Sequence, residues 1–140
     1  MRLATLLFAS LLTLPALARA ETVTLDCRGW LPLYLGNWEA ANPQEGASDA
    51  AQIVVNTARH TISAQAALGR VVAPLHATRT RYFGRKPLNA VVYGRRVLRA
   101  DVSVNRVTGE GFVSYILAEE GGEALRVGFQ GICEPVRRKF

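Results

Sequence analysis

The sequence predicts an all-β fold: a small antiparallel barrel or sandwich, closed by a disulfide between its two ends. Three observations predict it. Short runs rich in Val, Ile, Leu, Thr and Tyr recur along the chain with turn residues between them. From Leu98 to Asn105 apolar and polar residues alternate with period two, the signature of a strand with one buried face. Cys27 and Cys133, the two cysteines of the chain, stand near opposite ends of the region beyond an export leader.

The leader comes first. Arg2 supplies a positive start, Leu3–Leu14 is uncharged and apolar, Pro15 ends that stretch, and Ala18-Arg19-Ala20 offers small residues at a cleavage site. The apolar stretch falls short of the roughly 18 residues needed to cross a bilayer as a helix. Met1–Ala20 is therefore expected to be a cleavable signal peptide, with the mature chain starting at Glu21. A lipid anchor would need a cysteine directly after the cut, whereas Cys27 lies further on. Residues 21–140 are expected to form a single β-domain, periplasmic or secreted, with no transmembrane segment after signal removal.

Export places Cys27 and Cys133 where a disulfide is the default state. Two cysteines allow one intramolecular connectivity. Closing a loop of that size constrains the unfolded chain by about 4–5 kcal/mol in the chain-entropy model. Redox catalysis usually needs the close C-x-x-C spacing, which is absent, so the bridge is read as structural.

Along the mature chain, Thr22–Cys27 is the first candidate strand. Residues 28–50 carry Gly29, Pro32, Gly36, Asn37, Asn42, Pro43 and Gly46, and read as a long punctuated loop. Gln52–Asn56 and Thr61–Ala66 flank Thr57–His60 and read as a hairpin. Ser63–Gly69 also has a short helical pattern, and Asp49 with Gln52 resembles a capping box, but β-branched Ile53-Val54-Val55 argues for strand. Arg70–Phe83, interrupted by Pro74, reads as one or two strands. Leu88–Tyr93 and Val97–Arg106 come next, on either side of Gly94-Arg95-Arg96. In Val97–Arg106, Leu98, Ala100, Val102 and Val104 form the apolar face opposite Arg99, Asp101, Ser103 and Asn105. Thr108–Gly111 supplies a tight turn, and Phe112–Leu117 runs back from it. Leu125–Cys133 closes the series, with Leu125, Val127, Phe129 and Cys133 on one face and Arg126, Gly128 and Gln130 on the other. Gly131 signals a bulge or a close backbone approach.

Asn105-Arg106-Val107-Thr108-Gly109, entered from an alternating strand, and the closing Gly131-Ile132-Cys133 carry a resemblance. Together with Cys27 they resemble small exported bacterial β-proteins of unassigned function. These have an N/D-R-x-T/S-G hairpin and a terminal G-x-C paired to an early cysteine. The resemblance covers about the last 40 residues plus Cys27 and implies a compact β-fold, not an activity.

Charge is unevenly placed. The 17 Lys and Arg less Arg2 and Arg19 leave 15 cations against 11 acids, a net of +4. Arg70, Arg79, Arg81, Arg85, Lys86, Arg95, Arg96, Arg99 and Arg106 face Asp101 alone in their segment, whereas residues 21–49 are acidic. Arginine dominates, which suits planar, two-pronged contacts to carboxylate or phosphate.

Enzymatic signatures are absent. His60 and His76 stand in no zinc-type spacing, no G-x-S-x-G surrounds a serine, and Glu119, Glu120 and Glu123 flank Gly121-Gly122 as a polar turn. Gly109-Glu110-Gly111 is a hairpin turn rather than a phosphate loop, since no helix pattern comes after it. The expectation is a non-enzyme with no cofactor and no metal site.

Two binding faces stand out. On a strand through Ala77–Arg85, Arg79 and Arg81 share one face, opposite Thr78, Thr80 and Tyr82. Arg85, Arg95, Arg96 and Arg99 would widen that cationic patch. Its partner would be an anionic envelope component, a lipid phosphate or a glycan, or an acidic protein; export and the lack of a binding motif argue against nucleic acid. The alternative face is the 28–50 loop, where Trp30, Tyr34 and Trp38 recur at four-residue spacing, as in an inhibitor or partner-binding module. Leu31, Leu33 and Leu35 equally suit a loop that plugs the core. A small hydrolase is the least supported reading.

Overall fold

The computed structural model describes residues 21–30, 33–34, 49–92, 94–120 and 123–136. The expected leader, Trp38 and most of the 28–50 loop lie outside the described residues. Among those described there are eleven strands and no helix. In order they are β1 (Thr22–Trp30), β2 (Leu33–Tyr34), β3 (Asp49–Asn56), β4 (Thr61–Ala66), β5 (Gly69–Pro74), β6 (His76–Ala77), β7 (Arg81–Pro87), β8 (Val91–Val92), β9 (Arg95–Asn105), β10 (Glu110–Glu120) and β11 (Glu123–Pro135).

Every pairing is antiparallel, and the sheet runs β5-β4-β3-β1-β11-β10-β9-β7-β6. Its two ends are one continuous piece of chain. β5 pairs with β4, Leu75 N–H donates to the His60 carbonyl at 2.8 Å, and β6 then pairs with β7. The sheet thereby curls into a nearly closed barrel in which most sequence neighbours are spatial neighbours. Of the two expected architectures, barrel and sandwich, the barrel is observed.

The barrel interior is filled by side chains. Leu25, Ile53, Val55, Ile62, Val71, Val97, Val102, Val104, Val113, Leu117 and Val127 are buried, with Tyr115 and Phe129 supplying aromatic bulk. Ala51, Ala64, Ala66, Ala73 and Ala100 are interspersed with them, as a narrow barrel requires if opposing strands are to fit. Each large side chain contributes about 1.5–3 kcal/mol on burial. Burial also pushes the Tyr115 phenol above its ordinary 10.0, since the anion would be desolvated.

Cys27 and Cys133 are direct register partners on β1 and β11 and form the disulfide, with Cα atoms 3.9 Å apart. The first and last strands are thus neighbours, and the bridge joins chain positions 106 residues apart. The sulfurs point inward, where β10 crosses them at Gly111: a β-carbon there would overlap Cys133 Sγ. Gly84 has the same function at the closure, since a β-carbon on β7 would strike Ile62 and the Pro74 carbonyl.

Several expected elements shift. Ser63–Gly69 is strand β4 followed by a turn into β5, not a helix, and Asp49 and Gln52 lie in β3 rather than at a helix start. Ladder pairing to β3 and burial of Ile62, Ala64 and Ala66 outweigh the local helical pattern. Arg70–Phe83 divides into three pieces, with Thr78–Thr80 a turn in which Thr78 Oγ1 accepts from the N–H groups of Thr80 and Arg81. Strand β9 starts at Arg95, two residues before the expected Val97.

Leu98 is the sharpest correction. Between Ile116↔Arg99 and Leu117↔Val97 the register of β9 slips by one, a β-bulge that accommodates an extra residue. Val97 therefore faces inward at 1 % exposure and Leu98 faces out at 45 %, although Ala100, Val102 and Val104 keep the expected face.

Candidate functional site

The outer face of β7, β9, β10 and β11 carries a groove of about 540 Å³. Outward positions on neighbouring strands fall into cross-strand rows. Phe83, Ser103 and Phe112 form one row, from β7 across β9 to β10. Arg85, Asp101 and Ser114 form the next. Arg99, Ile116 and Arg126 form a third, running on to β11. Successive same-face rows on a strand are roughly 7 Å apart.

Asp101 organises the cationic side. Arg85 Nε donates to Asp101 Oδ1 at 3.2 Å, and Arg99 Nε forms an ion pair with the same oxygen at 3.2 Å. Both contacts fall on Oδ1; Oδ2 is in neither. Arg126 reaches back from the third row and donates through Nη2 to Ser114 Oγ at 2.8 Å, which leaves that serine buried on an outer face. Arg81 extends the lining at the far end. Among the described lining residues four guanidiniums stand against one carboxylate.

Phe83 is 36 % exposed, an unusual position for a phenyl on a barrel exterior. The His76 ring stacks on it with centroids 5.3 Å apart and so holds it. His76 therefore supports the groove from β6, while His60 occupies the β3–β4 turn, exposed and with φ of 51°. Among the described residues no group of His, Cys, Asp and Glu could hold a metal ion.

The predicted cationic residues divide. Arg81, Arg85 and Arg99 line the groove. Arg79 lies in the Thr78–Thr80 turn rather than on a shared strand face with Arg81, because the chain reverses there from β6 into β7. Arg95 and Arg96 lie in the β8–β9 hairpin, opposite Val92 and Val91, and are not among the lining residues. Of the aromatic face, Trp30 opposes Gln130 and Tyr34 opposes Arg126, so both backbone positions flank β11. Trp38 lies outside the described residues.

Arg126, Phe83 and Phe112 are groove residues that sequence reasoning did not single out. Arg126 was visible as the polar side of β11, but its distance in sequence from the arginine cluster hid the connection. Phe112 looked like one more strand residue until register placed it opposite Ser103.

A second, smaller cleft of about 230 Å³ opens at one mouth of the barrel, lined by Val23, Leu25, Val55, Val104 and Pro135. Arg106 lies at its rim, its guanidinium 4.4 Å above the Tyr82 ring and donating to the Thr78 carbonyl at 2.8 Å. That arginine is engaged in closing the loop ends rather than facing the groove.

The chain matches no protein-family model, and no curated protein matches it. Among solved structures it is similar to the crystal structure of isotype 1 transferrin binding protein B from serogroup B Neisseria meningitidis, at 20% identity and a TM-score of 0.40. The similarity covers 86% of this chain and 27% of that one, so the chain spans about a quarter of that protein's length.

Proposed function

We propose that this protein is an exported, non-enzymatic β-barrel that binds an anionic envelope component through the groove on β7, β9, β10 and β11. The observation that carries the reading is one open groove lined by Arg81, Arg85, Arg99 and Arg126, in which Asp101, paired to Arg85 and Arg99, is the one carboxylate among the described lining residues. Export is supported by the signal-like Met1–Ala20 and by a buried disulfide, which an oxidising compartment maintains. Arginine forks suit phosphate or carboxylate groups, the chemistry of lipid phosphates and acidic glycans. A rigid sheet presents them without a loop rearrangement.

The test is sedimentation of the disulfide-bonded protein with phosphatidylglycerol vesicles, and retention on an immobilised sulfated glycan. Binding to at least one should weaken steeply as salt rises toward 0.15 M, where the Debye length is about 8 Å. The combined Arg81→Ala, Arg85→Ala and Arg99→Ala variant should lose it. Binding that ignores salt, or survives the triple change, removes this reading.

A further inference from the structure

We infer that the groove takes a phosphorylated sugar, with the phosphate on the arginine rows and the sugar ring against Phe83 and Phe112. This deepens the anion-binding reading and rests on it. Four features of the groove point the same way.

Size is the first. At about 540 Å³ the groove falls within the roughly 300–1,000 Å³ of small-molecule sites, far more than a bare phosphate fills. The second is segregation. Phe83 and Phe112 share one cross-strand row, with Arg85, Arg99 and Arg126 in the next two rows on one side and Arg81 in the row on the other, so a bound molecule needs a less polar part against the phenyl row and a charged group roughly 7 Å from it. A phosphate ester on a six-membered ring has that shape.

Third, Phe83 and Phe112 stand two strands apart, roughly 10 Å between backbones, with Ser103 between them. A pyranose presents an apolar C–H face to each phenyl and a hydroxyl rim to Ser103. Fourth, Asp101 donates nothing to a phosphate and would repel it, yet it sits among the arginines. Its Oδ2, outside the Arg85 and Arg99 contacts, is an acceptor for a sugar hydroxyl.

An acyl chain is the competing apolar end. It gains about 0.8 kcal/mol per methylene only when the methylene leaves water. A groove open along its length, with Phe83 still 36 % exposed, does not remove it from water. A sugar keeps its hydroxyls hydrated while stacking.

The experiment titrates the disulfide-bonded protein calorimetrically with glucose 6-phosphate, inorganic phosphate and glucose at one salt concentration, and with phosphatidic acid vesicles. Glucose 6-phosphate should bind about tenfold tighter than inorganic phosphate, the contribution expected of two ring contacts. Phe83→Ala with Phe112→Ala should erase that advantage and leave the inorganic phosphate affinity unchanged. Phe83→Leu with Phe112→Leu, which preserves packing, should do the same if the alanine pair unfolds. Equal affinity for glucose 6-phosphate and inorganic phosphate overturns the sugar inference but leaves the anion groove standing. Phosphatidic acid vesicles that outcompete glucose 6-phosphate in a phenyl-dependent way also overturn it. No binding of any anionic probe removes both readings. If the inference holds, release of protein from vesicles bearing a phosphorylated glycolipid by free glucose 6-phosphate identifies a lipid-borne headgroup as the source.

Discussion

Gly111 on β10 lies directly against Sγ of Cys133 on β11, so the absence of a side chain at 111 is what lets the disulfide sit inside the barrel wall. The two features form one unit: a bridge between first and last strands, and a strand that passes over it without a β-carbon.

Gly111→Ala should therefore destabilise the fold by about 1–3 kcal/mol, the usual cost of forcing extra volume into a packed interior. In a Cys27→Ala, Cys133→Ala background the same change should cost much less, because the sulfur it strikes is gone. Thermal melts of the four proteins in this cycle check it; equal penalties in both backgrounds would show that the clash is with something else.

Reduction of the Cys27–Cys133 bridge should lower the denaturation midpoint. The loop it closes spans a separation of 106 residues, so the chain-entropy limit is about 4–5 kcal/mol, with strain and residual structure reducing it. Urea unfolding with and without reductant measures the loss. The reduced barrel should still register β1 against β11, since backbone pairing there extends from Leu25 to Trp30.

Leu98 and Val97 make a paired test of the bulge in β9. Leu98→Lys should change stability by no more than about 0.5 kcal/mol, as at other exposed positions. Val97→Lys should abolish folding or cost several kcal/mol by burying an unpaired charge. The reverse order would mean that the strand runs in unbroken register.

Asp101→Asn should leave the fold almost intact. Its partners Arg85 and Arg99 have side chains 63% and 41% exposed, and pairs of that kind contribute at most about 1 kcal/mol. Removing the one acid among the described lining residues should strengthen inorganic phosphate binding by about fivefold, the equivalent of about 1 kcal/mol. Preference for glucose 6-phosphate over phosphate should fall at the same time. Calorimetry with both probes reads the two effects separately.

Stability should be insensitive to Tyr115 ionisation at neutral pH and fall in alkali. Burial raises the folded pKa above 10.0, so the folded state holds its proton where the unfolded state has begun to lose it. Below the unfolded value both states keep the proton and the group has no effect; as pH climbs past about 10, ionisation favours the unfolded chain and stability drops until the folded phenol also ionises. Urea midpoints across that range should decline for the native chain and less so for Tyr115→Phe.

Much of the fold was legible because strand signals are local. The β3–β4 hairpin around Thr57–His60, the turn before Gly111 and the inward set Val127, Phe129 and Cys133 all derive from alternation and turn residues. Arg81, Arg85 and Arg99 were legible as a cluster because β7 and β9 are close in sequence. Arg126 was not, since only the pairing of β10 with both β9 and β11 brings it across. Arg79, Arg95 and Arg96 were grouped with them by sequence proximity, yet Arg79 lies in the Thr78–Thr80 turn and Arg95 and Arg96 pair with β8, and none is among the described lining residues.

The sequence by itself determined that the chain alternates into antiparallel strands and that its two cysteines have only each other to bond. Both arise from properties that reside in single residues and their immediate spacing. Only the tertiary structure decided that the sheet curls into a nearly closed barrel, that one slipped residue turns Leu98 outward, and that Phe83, Asp101, Phe112 and Arg126 share a groove. Those depend on register between strands distant in sequence, which is settled by how whole faces pack against one another.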